Sequence, residues 1–188
     1  MQAHLHIRRH ACHQATARDL VASIPLGVQD LTGPSRSVRS FYADFRAIIH
    51  TMTLPAYGYR EIEHTADWEL EVWAPDLSGL LEQAARGMYA LSGLCLERLQ
   101  SHRRVLKLNA EDAESLLVVF LGEILHFIEL DNLAFDEFQI ELDGYTLHAQ
   151  LTGSQVQNID KEIKAVTYHN LLVRQTGQGL HVNIVFDV

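Results

Sequence analysis

The sequence predicts an α+β fold in two layers, in which two helices pack on one face of a mainly antiparallel or mixed β-sheet. Three observations carry this prediction. The chain has two segments of helical periodicity, several segments in which apolar and polar residues alternate, and two turn sequences typical of hairpins, at Asp143-Gly144 and at residues 175–179. Because strands joined by short turns pair as antiparallel neighbours, the two helices are left to cover one face of the sheet.

The first strand and the first helix are predicted between residues 67 and 93. Residues 67–74 alternate between an apolar row and a row with three acidic residues, which is the period-two pattern of a half-buried strand. Pro75 ends this strand, and Asp76 suits the N-cap position of a helix. Apolar residues then recur at helical spacing as far as Tyr89, and Gly93 suits the C-terminal stop. The pattern indicates an amphipathic helix that buries one face.

A second helix and a hairpin are predicted in the middle of the chain. A short strand at residues 104–108 precedes Asn109, whose side chain suits the N-cap of a helix that runs to about Leu130. Because this helix is mostly apolar, we expect it to be central and the more deeply buried of the two. Residues 138–142 and 147–151 alternate on either side of Asp143-Gly144 and predict two antiparallel strands.

A second hairpin is predicted at the end of the chain. Residues 163–173 and 180–186 alternate on either side of the glycine-containing turn at residues 175–179. The sequence does not set the register of this pair, and a slip of one residue moves every side chain to the other face of the sheet. Whether Lys164 shares a face with Asp187 is therefore left open.

Charge and periodicity divide the chain near residue 51. Residues 1–51 contain six arginines, three aspartates and no lysine, a net charge of +3, and they show no sustained periodicity. We interpret them as a poorly ordered extension with three explanations: a start assigned upstream of the true initiator, for which Met52 is a candidate, a dispensable tail, or an organelle transit peptide. Residues 52–188 are predicted to form one globular domain.

The predicted domain is acidic, with nine basic and 21 acidic residues and a net charge of −12. It lacks the basic footprint with which proteins neutralise phosphates, so we expect no strong direct binding of nucleic acid, and a cation or a basic protein surface is the expected partner. No apolar run is long enough to span a membrane, and Cys12 and Cys95 form neither a metal-binding spacing nor a disulfide framework. We therefore expect a cytoplasmic protein with no membrane partner.

Candidate metal ligands occur at both ends of the predicted domain, although the sequence contains no nucleophile elbow, P-loop, dinucleotide-binding glycine fingerprint or His-Glu-x-x-His helix. Asp187 follows an apolar strand, where burial of an unpaired carboxylate would cost several kcal/mol unless a cation offset it. With Asp67 and the terminal carboxylate of Val188 it forms an all-oxygen set that suits Ca²⁺ or Mg²⁺. The alternative is that Asp187 is a solvated chain end and Asp67 is a turn residue.

Three further polar residues are candidates for a functional surface. Lys164 lies in an otherwise apolar alternating segment, where a lysine usually occupies the exposed face. His64 and His169 suit an acid, a base or a metal ligand, and equally a satisfied, partly buried histidine.

Three segments give the sequence a resemblance to the archease family. His64-Thr-Ala-Asp67 resembles the signature near the start of archeases, Lys164-Ala-Val-Thr-Tyr-His169 resembles their most distinctive internal stretch, and Val185-Phe-Asp-Val188 resembles their C-terminus. The segments occur in the family's order between about Tyr57 and the last residue. Trp68-Glu69 departs from the family, in which a small aliphatic residue and a glycine are common after the first segment.

The resemblance implies a divalent-cation site and a protein partner. Asp67, Asp187 and Val188 would bind the cation, calcium first, with magnesium or manganese as alternatives, and Lys164 would belong to the adjoining functional surface, with which we group His64 and His169. Archeases assist the RtcB-type RNA ligase, which uses GTP and manganese in tRNA splicing or RNA repair, by promoting its guanylylation and repeated turnover. The chain would then be an activator and not an enzyme.

Two alternatives remain open at this point. One is a metal-dependent hydrolase that uses His64 or His169 as the general base. The other is a general chaperone or an RNA-binding module, which needs an exposed apolar groove or a basic stripe with aromatic residues. The sequence sets neither the identity of the metal, nor the oligomeric state, nor the RNA on which a partner ligase acts.

Overall fold

The computed structural model describes residues 56–62, 68–97 and 101–188. These residues belong to one compact unit, Leu54–Val188. The predicted extension, residues 1–51, lies outside the described residues, as do two candidate site residues, His64 and Asp67. What was predicted for those parts of the chain stays a prediction.

The described elements alternate between strands and helices in the first part and consist of strands in the second. In chain order they are β1 (Gly58–Ile62), β2 (Trp68–Ala74), α1 (Leu77–Ser92), β3 (Cys95–Leu96), β4 (His102–Asn109), α2 (Ala113–Asp131), β5 (Leu133–Asp143), β6 (Thr146–Asn158), β7 (Ala165–Val166), β8 (Arg174–Thr176) and β9 (Gly179–Asp187). The pairings between these strands are antiparallel. The predicted α+β class is confirmed.

The strands divide between two sheets, a detail that the sequence pattern did not show. The first sheet has the order β1-β2-β9-β7, with β8 also paired to β9, and the second has the order β3-β6-β4, with β5 on the other edge of β6. α1 packs on β1 and β2 and also contacts β5, β9 and α2, while α2 contacts β4, β5 and β7. The helices therefore join the two sheets through one core.

The first strand and the first helix agree with their predictions. β2 alternates as expected, with Leu70, Val72 and Ala74 buried. α1 begins after its N-cap Asp76, whose carboxylate accepts a hydrogen bond from the Gly79 amide at 2.8 Å. It ends at Gly93, which takes the left-handed conformation with φ 65°.

The N-cap of α2 is Asp112, so the prediction of Asn109 in that position is wrong. The Asp112 carboxylate accepts from the Ser115 amide at 2.7 Å, and its hydrogen bonds with Ser115 lower its pKa. Asn109 instead ends β4, where it pairs with Thr146 in the strand ladder and its side chain accepts from the Thr146 hydroxyl at 2.9 Å. Because cross-strand pairing holds Asn109 in an extended conformation, α2 begins only after Asp112.

The expectation that α2 is the more deeply buried helix is also wrong. α1 buries nine of its 16 residues, whereas α2 buries five of 19. α1 contacts strands of both sheets along its length, and a Cβ added at Gly87 would lie 2.5 Å from the Leu70 side chain, so the glycine permits this close approach. The apolar residues of α2 lie on more than one face, and one face remains partly open, including Val119 at 38% and Leu130 at 66% exposed.

The predicted long strand at residues 163–173 is interrupted. It provides only β7, after which the chain turns at Asn170, which has a positive φ of 51°. The Val173 amide then donates to the Glu114 carboxylate of α2 at 2.8 Å, so this main-chain group is satisfied by a helix side chain and not by a strand. A hairpin with β9 does follow, but its first strand is β8, which lies beyond the predicted strand and overlaps the start of the predicted turn at residues 175–179.

The core is built from buried side chains of both helices and both sheets, with Phe120, Phe135 and Phe186 among the largest. Phe120 comes from α2, Phe135 from β5 and Phe186 from β9, so the three elements meet in one apolar interior. Within the described residues, neither helix combines the length and the apolar character that crossing a bilayer requires.

Candidate functional site at the end of the last strand

Strand β9 carries Asp187 to the end of the first sheet. Val182, Ile184 and Phe186 are at most 1% exposed, and this buried row holds β9 between β2 and β7. Asp187 follows the last buried residue, pairs with Ala165 of β7 and points its side chain to solvent. The argument that burial of Asp187 would demand a cation is therefore wrong, because this carboxylate is exposed and stays hydrated.

Lys164 lies directly beside the last two residues of the chain. Its main-chain amide donates to the Asp187 carbonyl at 2.9 Å, and its Nζ donates to the Val188 main-chain oxygen at 3.0 Å. The register that the sequence left open is thus one in which Ala165 is opposite Asp187 and Lys164 comes one position beyond it. The structure brings together three of the sequence-predicted residues, Lys164, Asp187 and Val188.

A second lysine lies at the same end of the sheet and was missed in the sequence. Lys161 Nζ lies 3.7 Å from the ring centroid of Trp68, which pairs with Phe186. The amides of Asp160 and Lys161 both donate to the Ser92 carbonyl, at 3.0 and 3.2 Å, so this loop is attached to the end of α1. The spacing of two lysines three residues apart was a signal that could have been noticed.

Trp68 and Glu69, which depart from the family pattern, are well accommodated. Trp68 is half-buried and stacks with Lys161. The Glu69 carboxylate accepts a hydrogen bond from the Asn183 side chain of β9 at 2.7 Å. The larger side chains therefore add contacts between β2 and its neighbours.

His169 lies on the turn after β7 and not in a strand. Its amide donates to the Thr167 hydroxyl at 3.3 Å, and its ring Nε2 is 3.0 Å from the Asn170 side-chain nitrogen. The Thr167 hydroxyl donates to the Val185 carbonyl at 3.0 Å, which fixes the start of this turn on β9. None of the contacts described joins the His169 ring to Lys164 or Asp187.

The oxygen atoms at the end of β9 fit a hard cation by their chemistry. The Asp187 carboxylate and the Val188 main-chain oxygen are acceptors of the kind that Ca²⁺ and Mg²⁺ prefer. Within the described part of the chain, no group of three or more His, Cys, Asp or Glu side chains has the arrangement of a metal site. Asp67, the third predicted ligand, lies outside that part, so the complete ligand set is a proposal.

A cleft of about 480 Å³ opens next to Lys164. Its described lining comes from α1 (Met88, Tyr89, Ser92), α2 (Leu125, Ile128, Glu129) and the loop before β7 (Ile159, Glu162, Ile163, Lys164). Burial raises the pKa of the Tyr89 hydroxyl, so this group stays neutral at physiological pH. No histidine is among these lining residues, and the cleft offers no general base of that type.

The comparison with known families identifies a match over most of the chain. Residues 59–188 match the model of the archease protein family. The matched segment contains all six sequence-predicted site residues, including the two that the structure does not describe.

Individual relatives carry the same name. The chain is 32% identical to protein archease of Methanosarcina mazei over 148 residues, which is 72% of this chain and all of that protein. It is 30% identical to protein archease of Methanosarcina barkeri over 139 residues, which is 69% of this chain and 95% of that protein.

Solved structures share the fold. The crystal structure of a Thermotoga maritima archease, which is described as a possible chaperone, matches with a TM-score of 0.53 at 25% identity, over 69% of this chain and 96% of that one. The solution structure of Methanobacterium thermoautotrophicum protein 1598 matches with a TM-score of 0.54 at 23% identity, over 70% of this chain and 99% of that one. The second likeness concerns the fold alone.

Proposed function

Because the chain belongs to the archease family, we propose that it is a metal-binding protein cofactor, and not an enzyme, that activates an RtcB-type GTP-dependent RNA ligase in tRNA splicing or RNA repair. The observation that carries the proposal is the meeting of Lys164, Asp187 and Val188 at one end of the first sheet. Lys164 contacts the main chain of both Asp187 and Val188, and the Asp187 carboxylate beside them is exposed, so this end of the sheet can contact a partner.

Asp67, Asp187 and Val188 are the proposed ligands of a divalent cation, calcium first, with magnesium or manganese as alternatives. Trp68 pairs with Phe186. Asp67 directly precedes Trp68 in the sequence, and Asp187 directly follows Phe186, so each aspartate is one residue from a paired position. The cation, when bound, would supply positive charge that reduces the repulsion between the carboxylates. Lys164 would hold the Val188 oxygen in place from the other side.

The net charge of the domain supports attraction of a basic surface of the ligase at a distance. Residues 52–188 have a net charge of −12, whereas Lys161 and Lys164 add local positive charge at the proposed contact. Complementary charges accelerate encounter and orient the partners, and this contribution weakens as salt screens it. Preferential binding to the guanylylation-competent state of the ligase would shift its population toward that state. We propose that this contact forms in the cytoplasm.

The hydrolase alternative has less support from the geometry. The ring of His169 contacts Asn170 and not the acidic end of β9. The described lining of the cleft beside Lys164 contains no histidine. This observation concerns His169 as the general base, whereas His64, the other histidine considered, lies outside the described residues.

The proposal is tested by single-turnover guanylylation of the cognate RtcB-type ligase with GTP and manganese. We expect the wild-type chain to accelerate guanylylation and Asp187→Ala to lose most of that acceleration, about tenfold or more, since tenfold corresponds to the loss of only ~1.4 kcal/mol of coupling. The matched control is Glu97→Ala, which removes an exposed carboxylate next to β3 in the other sheet and should leave the acceleration unchanged.

Two other outcomes would count against the proposal. No acceleration by the wild-type chain would remove the ligase as its partner and favour a chaperone role. Full acceleration by Asp187→Ala would remove the acidic end of β9 from the mechanism while leaving the ligase assignment in place.

A further inference from the structure

The second sheet exposes a face on which charge is sorted by strand. Four residues of each of three strands point to this face, which we call the β4–β6–β5 face. They are Arg103, Val105, Lys107 and Asn109 of β4, Thr146, His148, Gln150 and Thr152 of β6, and Glu137, Gln139, Glu141 and Asp143 of β5. All of them are exposed or half-exposed. The two cationic residues lie on one outer strand, and the three acidic residues lie on the other.

The strand register aligns these charges in rows across the sheet. Lys107 and Glu141 both pair with His148, and Arg103 and Glu137 both pair with Thr152. Two strand spacings, roughly 9.6 Å, separate the main chains of the oppositely charged residues in each row. Among the described residues, the ion pairs involve other groups, so these four charges are left without a partner of opposite sign.

We propose that the β4–β6–β5 face is an interface between two copies of this chain. A rotation of 180° about an axis parallel to β6 places β5 of the second copy over β4 of the first, and the reverse. Lys107 then faces Glu141 of the second copy, and Arg103 faces Glu137 of the second copy. Since the axis makes every contact occur twice, the four unpaired charges of each copy gain partners.

The strand-sorted pattern selects this arrangement over its competitors. Rotation about an axis in the plane of the sheet but across the strands would place Lys107 over a basic strand and Glu141 over an acidic strand. A nucleic acid would be attracted by β4 and repelled by β5, and a basic protein surface would meet the opposite problem. A second copy places its acidic strand over the basic strand of the first copy and its basic strand over the acidic one, so both charged strands meet opposite charge.

The geometry of stacked sheets is compatible with the proposed axis. Two packed sheets keep their strand directions within about 30° of each other, so the axis needs only a small tilt from the direction of β6. Val105, which is 76% exposed, would lie against the second copy and lose water contact.

The size of the face predicts a weak dimer. Twelve side chains from each copy are fewer than the roughly 20–30 residues of a standard interface. Because charge pairs contribute much of the attraction, the dimer should dissociate as the salt concentration rises. The proposal does not depend on the ligase assignment, since the end of β9 belongs to the first sheet.

The test is sedimentation velocity of the full chain over a concentration series at low and high salt. We expect a reversible monomer–dimer equilibrium in the wild type that shifts toward monomer with salt. Lys107→Glu and Glu141→Lys should each weaken the dimer by about tenfold or more. Each substitution is present in both copies, so it replaces two attractive contacts with two repulsive ones. An equimolar mixture of the two variants should restore dimers, since the glutamate introduced in one variant then faces the lysine introduced in the other.

Matched controls reverse charges away from the face. Arg174→Glu on β8 and Glu61→Lys on β1, both exposed positions of the first sheet, change the net charge by the same amounts and should leave the dimer unchanged. Far-ultraviolet circular dichroism checks that all variants keep the fold. A wild type that stays monomeric at low salt, or variants that dimerise as the wild type does, would overturn the proposal, and failure of the mixture to recover dimers would exclude this pairing of strands.

Discussion

Glu71 is the centre of a polar cluster on the face of the first sheet that points away from the core. Its carboxylate accepts a hydrogen bond from the Arg60 guanidinium and lies 2.8 Å from His181 Nε2. Burial raises the pKa of Glu71, but the hydrogen bonds with His181 and Arg60 and the charge of Arg60 outweigh it, so the pKa lies below its ordinary value of 4.5. The ionised form is thus the one that the folded state stabilises, and it links β1, β2 and β9.

The Glu71 cluster predicts a defined pH dependence of stability. A glutamate whose pKa is lowered by folding adds stability that is fully present above pH 4.5 and is lost as the pH falls through the lowered folded-state value. We expect Glu71→Gln to reduce the free energy of unfolding at neutral pH by about 0.5–1 kcal/mol, a size typical of partly screened pairs. Urea unfolding at neutral and at strongly acidic pH measures this, and the difference from wild type should shrink in acid.

The control for this prediction is Glu141→Gln, which changes an exposed glutamate that has no ion-pair partner among the described residues. It should leave the stability at neutral pH nearly unchanged under monomeric conditions. A difference between Glu71→Gln and wild type that does not narrow in acid would show that the effect comes from packing and not from the charge.

At the scale of single elements, each of the two described helices starts after an aspartate whose carboxylate accepts a hydrogen bond from the amide three residues later. Asp76 accepts from Gly79 at 2.8 Å, and Asp112 accepts from Ser115 at 2.7 Å. Such a side chain satisfies one of the amides that the first turn of a helix leaves unpaired. Because α1 contacts β1, β2, β5 and β9, its start also sets how the first sheet meets the rest of the core.

The N-cap of α1 is open to a direct test. We expect Asp76→Ala to lower the free energy of unfolding by about 1 kcal/mol, since alanine cannot accept the Gly79 hydrogen bond. Asp76→Asn is the matched control, because asparagine caps helices about as well as aspartate does, and it should stay within a few tenths of a kcal/mol of the wild type. Chemical denaturation of the three proteins side by side decides the matter, and equal losses in both variants would point to the charge of Asp76 and not to its cap.

At the scale of the whole molecule, strand order assembles the proposed contact from distant parts of the chain. β9 lies between β2 and β7, so Trp68, Ala165 and Asp187 come from three neighbouring strands. The loop that carries Lys161 is held to the end of α1 through Ser92. No single segment contains this surface, and its geometry depends on the complete first sheet and on one helix.

The position of Val188 predicts a difference between the two ends of the chain in tagging experiments. A short peptide added after Val188 moves the terminal carboxylate away from Lys164 and from the proposed metal ligands. We expect it to weaken Ca²⁺ binding, measured by isothermal titration calorimetry, by about tenfold, or ~1.4 kcal/mol. The same peptide added before Met1 should have little effect, and equal affinities of the two tagged proteins would eliminate the Val188 carboxylate as a ligand.

Sequence patterns were sufficient to predict those elements whose structure is set by interactions between residues close together in the chain. Alternation predicted β2, helical spacing with Asp76 and Gly93 predicted α1, and turn residues located both hairpins, because these signals arise from neighbours along the chain. They also singled out Lys164 and Asp187, which the structure brings together, and the archease-like segments showed the family. The N-cap of α2 was misassigned because Asn109 is held by Thr146, a partner 37 residues away.

Only the tertiary structure decided which surfaces are buried and which residues meet. The register between β7 and β9, the burial of α1 beyond that of α2, the exposure of Asp187 and the stacking of Lys161 on Trp68 all depend on long-range contacts. The division into two sheets, and with it the sorting of charge across β4, β6 and β5, has the same origin. By itself the sequence determined both helices, most of the strands and the family, since these follow from the order of neighbouring residues. Their packing was decided by which apolar faces could be buried together.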